Sequence, residues 1–539
     1  IASDVRNNAT GNAGNISLTS NSLFLNNTAQ VLSSTADKGN AGNITLKVAD
    51  ISLANSSLIR GSVEPGGIGD AGDIDIQGRT LSITSGSVIQ SALFGSRGNL
   101  PAAQGRGGNI RINTSDYVTI SGFGNTLFGT GLITGADLGT SGNAGNIKID
   151  TNQLKVRETG TIAANTLSIG NGGDIALFAN TFELLNGGQI LTTTANSGKA
   201  GTIRINVKDS TTIAGSETAR SSGVFASTIL GSTGQGGDIF INSRQMRMND
   251  AIGVFVGSAG TGRAGNIFIV GDLMSLDNKT FIAATTNSNQ GGNIDLQLSD
   301  LLFLRRGSQI STSAGFAQAG GDGGNITINT PFIVAIPNEN SDITANAFAG
   351  LGGKVTINAT GIFGMRPLSR EQLARTLGTN DPTQLNPNKL PTNDITAISQ
   401  QNPSFSGQVL LNTPEVDSTQ GIVELSQTVV DPNALIAQNP CLRRAGSEFI
   451  STGGGGLPSN PAQTLSDDGV NIDLVEPVIS NQPEHNSVQV NQTLNKTQQQ
   501  IQPAQGWVVN EKGEVLLTAY PTNANVLRDT KSKNLCQNF

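Results

Sequence analysis

The chain has 539 residues, a formal net charge of -7, 68 glycines, 4% aromatic and 14% charged residues. That length could hold several ordinary globular domains, but one Trp and two Tyr do not supply the bulk a compact core usually draws on. Scattered Lys and Arg on an acidic background exclude the concentrated basic footprint of a nucleic-acid binder, and no apolar run reaches the ~18 residues of a helical membrane span. The apolar residues are mostly Ile, Leu, Val and Ala, set among Gly, Asn, Ser and Thr, which suits many short strands and tight turns. The chain opens at Ile1 with no charged-then-apolar leader, as expected of a mature product or of one lacking its N-terminal part.

From Gly11 an eight-residue anchor, roughly Gly-x-Gly/Ala-Gly-Asn/Asp-Ile-x-Ile/Leu, recurs twelve times. It reads GNAGNISL from Gly11, GNAGNITL from Gly39, GDAGDIDI from Gly69, GRGGNIRI from Gly105, GNAGNIKI from Gly142 and GNGGDIAL from Gly170. It continues as GKAGTIRI from Gly198, GQGGDIFI from Gly234, GRAGNIFI from Gly262, NQGGNIDL from Asn289, GDGGNITI from Gly321 and GLGGKVTI from Gly350. Spacings have a floor near 28 residues and reach 37, as one structural unit with variable loops would give. Within the unit at 39–66, residues 43–48 alternate as a strand should, 51–54 form a second short strand and 57–63 a third. Three strands per turn predict an all-β, right-handed parallel β-helix, a solenoid of twelve coils about 58 Å long at the ~4.8 Å strand spacing. Corner glycines would adopt positive φ. The LxxLxL pattern of a leucine-rich horseshoe is absent.

After Ile357 the pattern blurs but has echoes. Residues 341–345 have a near copy at 393–397, and Gly353 an echo at Gly407, 54 residues on. The extra length predicts an insertion over 365–391, with Ser369 capping a helix over 370–377 and Gly378 stopping it. The chain thus divides into β-helix repeats at 1–364, that insertion, a last coil at 392–430 and an irregular C-terminal region at 431–480. A polar, Gln-rich linker at 481–505 leads to a hairpin and tail at 506–539, turning at Glu511-Lys512-Gly513.

Little in the chain points to catalysis or to a bound cofactor. Glycoside hydrolysis usually needs two carboxylates facing one bond. The single histidine, His485, lies in the polar linker. Asp73, Asp174 and Asp238 occupy the anchor position usually held by Asn and read as turn residues, and Asp467-Asp468 reads as a solvated pair. Gly260-x-Gly262-x-x-Gly265 matches a dinucleotide fingerprint in spacing only, because a strand follows it where a helix is required. Two cysteines, Cys441 and Cys536, are too few for a disulfide scaffold and wrongly spaced for zinc. No metal site is expected.

The anchors together with the tail segments Val429-Val430-Asp431-Pro432, Asn439-Pro440-Cys441, Gly455-Gly456-Leu457-Pro458-Ser459-Asn460-Pro461 and Gly506-Trp507-Val508-Val509-Asn510 resemble the filamentous haemagglutinin family of two-partner-secreted bacterial exoproteins. The likeness is greatest to large members with Gly-Asn-x-Gly-Asn-Ile repeats, and it covers nearly the whole chain. It implies export to the cell surface or medium through an outer-membrane transporter, and a structural role in adhesion to cell-surface or matrix glycans or proteins. The N-terminal secretion domain of that family is not in this sequence. The resemblance supplies no catalytic residue, and a polysaccharide-binding or polysaccharide-cleaving β-helix is the rival reading. In the oxidising setting so implied, Cys441 and Cys536 are expected to pair, closing a loop of 95 residues for roughly 4 to 5 kcal/mol in the chain-entropy model.

Any recognition must occur on the outer surface. The residue between the two inward aliphatics of each anchor should face outward, giving a column Ser17, Thr45, Asp75, Arg111, Lys148, Ala176, Arg204, Phe240, Phe268, Asp295, Thr327 and Thr356. Asp75 can meet Arg111 there. Phe240 and Phe268 are adjacent aromatics in a polar column, and two readings apply to them. Either a loop of the long coil before Gly234 covers them, or they form an exposed ledge that binds sugars or another rod.

Overall fold

Alternating aliphatic and polar residues after each anchor glycine pair place one face of every such segment inward, and the segments stack. A computed structural model of the chain describes residues 1–414, except 7, 123–128, 218–219 and 316–317, together with 506–509 and 515–518. It is a parallel β-helix. The anchors all fall on one sheet, in a register running Ile16, Ile44, Ile74, Ile110, Ile147, Ile175, Ile203, Ile239, Ile267, Ile294, Ile326 and Val355. Val409 then adds a further strand beyond Val355. A second sheet stacks Val31, Ile59, Ile89, Leu132 and Ile162 in the same way, each of them fully buried. The third side is the Gly-x-Ala-Gly stretch of the anchors themselves. Its amides bond to the next coil, as Gly39 N–H does to Ile68 O at 3.0 Å and Ala41 N–H to Asp70 O at 2.9 Å.

Two of the three expected strands are one. Residues 43–48 and 51–54 fall within a single strand, Ile44–Leu53, in which Ile44, Leu46 and Val48 point inward and so do Ile51 and Leu53. Ile51 lies three positions after Val48 where strict alternation steps by two. The backbone absorbs the extra residue by bending without leaving the ladder, and other coils shift register at the same place, as between Ala179 and Thr181 or Gly271 and Leu273. The stacking also begins before the first anchor, since Ala2 bridges Leu32 and Val5 bridges Thr35.

The anchor glycines are needed for two different reasons. Gly39 and Gly105 lie in the left-handed region at φ +139° and +141°, as a corner requires. The second glycine of the anchor has ordinary backbone angles and is required by its neighbours. A Cβ on Gly201 would sit 2.0 Å from the carbonyl oxygen of Gly173 one coil away, closer than any real contact. Inside the coil a hydroxyl often caps that glycine's own carbonyl, as Thr192 Oγ1 does for Gly201 O at 2.9 Å.

The insertion forms as its sequence requires. Ser369 caps the helix Arg370–Leu377 with a complete capping box closed by Gln372, and Gly378 ends it at φ +68°. Its Leu368, Leu373, Leu385 and Leu390 pack with Ile398 over the outer face of the second sheet. Beneath this cover Ile343 pairs with Ile395, and on the anchor sheet Lys354 pairs with Gln408, so both echoes are true coil repeats.

The chain divides into two units at residues 1–416 and 417–539. In the second, Gly506–Val509 pairs antiparallel with Val515–Thr518 as a hairpin, Trp507 opposite Leu517. The turn at Glu511-Lys512-Gly513, the end of the last coil after 414, the irregular region, the linker, His485 and Cys441 with Cys536 lie outside the described residues.

Candidate functional site

The anchor carboxylates have a structural task. Asn15, Asn43, Asp73, Asn109 and Asn146 each use a side-chain oxygen to accept the backbone N–H of their counterpart one coil on, at 2.8 to 3.0 Å. Asp174 accepts from Thr202 N–H at 2.7 Å and Asp238 from Asn266 N–H at 2.9 Å. Asn and Asp serve equally because only an acceptor is needed. Burial disfavours the charged form of Asp73, yet the Asn109 N–H and the Arg111 guanidinium outweigh it and hold its carboxyl below the usual value.

The outward column has the register read from the sequence, with Ser17 beside Thr45 and Phe240 beside Phe268. Arg111 reaches Asp75 at 3.4 Å but sits closer to Asp73, at 2.8 Å. Phe240 and Phe268 are half-buried and stack on each other, ring centroids 4.8 Å apart and planes 6° from parallel. The Arg204 guanidinium lies 5.2 Å from the Phe240 centroid. Stacking along the column closes ring faces against neighbours. What the pair offers a ligand is mostly ring edge and one guanidinium.

Beside this column runs a groove of about 840 Å³, lined at successive coils by Asp150, Phe178, Asn206, Asn242, Val270, Gln297 and Asn329. The six ~4.8 Å steps between these seven coils give it a length of about 29 Å. It follows the bend of the long strands, where the extra residue opens the outer surface. Its far wall carries Asn180, Lys208, Arg244, Asp272 and Ser299. Arg244 is hydrogen-bonded to Asp209, which raises its pKa further and keeps it charged. Lys148 sits 5.5 Å from the Phe178 ring centroid. Val270 is 48% exposed, an unusual setting for an aliphatic side chain between Asn242 and Gln297. Among the described residues Asn206 and Asn242 make no side-chain hydrogen bond.

The two carboxylates lining this groove, Asp150 and Asp272, stand four coils apart, about 19 Å along the axis. Glycosidase pairs lie within about 5 to 9.5 Å. Among the described residues no group of three or more His, Cys, Asp or Glu could hold a metal ion, and no helix is long and apolar enough to cross a membrane.

The groove was legible only in part. Alternation from each anchor places Asn206, Asn242 and Asn329 outward, but the concavity comes from the bend, which no residue type announces. No family model, no curated protein and no solved structure matches this chain.

Proposed function

We propose that this chain is a structural adhesin of the secreted or surface-exported kind, a β-helical rod that holds linear glycan chains along its outer groove. The observation that carries the reading is the periodicity of that groove. It presents the same two lines of outward side chains at coil after coil, so a ligand that itself repeats can make similar contacts at every step. Neutral amides at Asn206, Asn242, Gln297 and Asn329 suit hydroxyl groups, while Val270 and Phe178 suit the apolar faces of sugar rings. Lys208 and Arg244 add affinity for glycans bearing carboxylates or sulfates. Export by a two-partner route through an outer-membrane transporter rests on the sequence resemblance alone and is part of the same proposal.

A polysaccharide-cleaving reading is disfavoured by the wide separation of Asp150 and Asp272. Incubating the full chain on an array of linear polysaccharides, followed by analysis of the bound chains, tests the proposal. Retention of at least one polysaccharide at undiminished length is the expected result. New chain ends would establish an enzyme, and no binding to any glycan would remove the adhesin reading in this form.

A further inference from the structure

Where the insertion leaves the second sheet, it does not close completely. A pocket of about 250 Å³ remains between Ser311, Ser313, Thr344 and Asn346 on the sheet and Asn386 and Asn388 of the insertion. The roof leaves Thr344 6% and Asn346 8% exposed, as little as the covered outward Gln90 and Ile133 at other coils of this sheet.

The hydrogen bonding of this lining is incomplete in a particular way. The hydroxyls of Ser311, Ser313 and Thr344 form a closed triangle with distances of 3.0, 2.9 and 3.3 Å. Asn346 uses its Oδ1 to accept Ile398 N–H at 2.9 Å, and Asn386 uses its Oδ1 to accept Asn388 N–H at 3.0 Å. Those bonds fix both amides with their NH2 groups unpaired among the described residues. Among the described residues Gln309, also in the lining, makes no side-chain hydrogen bond, and Asn388 Oδ1 is a buried acceptor with no partner. Buried polar groups are normally satisfied, so the unspent Asn346 amide and Asn388 Oδ1 beside a cavity point to an occupant, while Asn386 is exposed and Gln309 partly so.

Chemistry narrows that occupant. Among the described residues the lining contains no Lys, Arg, Asp or Glu, so neither an anion nor a cation is matched. The lining offers both amide donors and hydroxyl or carbonyl acceptors, which suits a molecule carrying many hydroxyls. The half-buried Phe348 ring supplies an apolar surface and makes no contact with another ring or a cation among the described residues. Hydroxyls together with an apolar face describe a sugar ring. We propose that this seam is a second binding site, for one neutral sugar residue, held by the Asn346, Asn386 and Gln309 amides against Phe348.

This site rests on the glycan reading above for its class of ligand, not for its location. Saturation-transfer NMR on the full chain, with glucose, galactose, mannose and N-acetylglucosamine in turn and glucuronate as the charged control, tests it. At least one neutral sugar should bind in the millimolar range, and glucuronate should bind at least ten-fold more weakly. Phe348→Ala and Gln309→Leu should each weaken binding ten-fold or more with an unchanged unfolding midpoint. Gln309 faces outward and lacks a side-chain partner, so its variant keeps the fold even where Phe348→Ala does not. Asn206→Ala/Lys208→Ala/Asn242→Ala in the groove should leave this binding intact. The seam site is overturned if none of the four neutral sugars binds, if binding survives both seam variants, or if only the groove variant abolishes it. The last result would still leave the groove reading standing.

Discussion

Replacing the second glycine of one anchor should open the rod locally. In Gly201→Ala the new methyl would lie 2.0 Å from Gly173 O and 2.5 Å from Gly173 C, backbone atoms held in the next coil's ladder. No side-chain movement relieves that overlap, so the coils must separate by more than an ångström at this point. Overpacking of a rigid site costs about 1 to 3 kcal/mol. Displacing the Gly201 carbonyl also strains its hydrogen bond from Thr192, worth about 1 kcal/mol. Alanine restricts the unfolded chain and returns about 0.4 to 1 kcal/mol, leaving a net loss of roughly 1 to 3.5 kcal/mol. The control is Gly320→Ala, where the added methyl meets nothing within 4 Å and no positive φ is required. Because coils in a solenoid open semi-independently, hydrogen exchange of the amides in Ile175–Leu185 and Ile203–Ala214 should be read beside urea unfolding. Protection there should fall by about two powers of ten in Gly201→Ala and stay constant in Gly320→Ala. A Gly201→Ala protein within about 0.5 kcal/mol of the parent would refute the close-approach argument.

Two further outcomes follow from named contacts. Burial pushes the Asp342 carboxyl up to about 7, against the hydrogen bond from Asp394 N–H and helped by the adjacent Asp394 charge. A raised folded-state value means a stability contribution complete below about pH 4 and lost as pH rises through 7, at most about 4 kcal/mol. Amides of residues 341–345 and 393–397 should therefore exchange faster, beyond the intrinsic base dependence, between pH 5 and 8. Asp342→Asn should flatten that trend, and an unchanged slope in this variant would assign it to another group. Phe240→Ser/Phe268→Ser should lower stability by about 2 kcal/mol through lost stacking and burial while adhesion per folded molecule holds. Reduced adhesion at unchanged stability would make the pair a binding ledge instead.

The fold was legible because its units repeat. Each anchor is a weak signal, but Ile16 to Val355 recur at one register, and the Ser369 and Gly378 caps mark the inserted helix on local grounds alone. The merging of two strands was not legible, because Ala49-Asp50 resembles a turn in composition and acts as a bend only with parallel strands on either side. Close approach, the reason for glycine at Gly201, is equally a relation between coils. Asp342 and Asp394 sit at outward positions of a strand and would read as solvated, whereas the insertion covers both completely. The groove and the seam pocket both arise from tertiary placement of ordinary polar residues. Only the outward placement of Asn206, Asn242 and Asn346 connects them to the sequence.

The central claim is that the groove is where this rod holds its ligand. Adhesion of the full chain to an immobilised linear polysaccharide identified on the array should be compared with that of Asn206→Ala/Lys208→Ala/Asn242→Ala. These side chains make no hydrogen bond or ion pair within the described structure, so the unfolding midpoint should not move. Binding at least ten-fold weaker is expected, a loss of about 1.4 kcal/mol or more. Equal adhesion per folded molecule would contradict it.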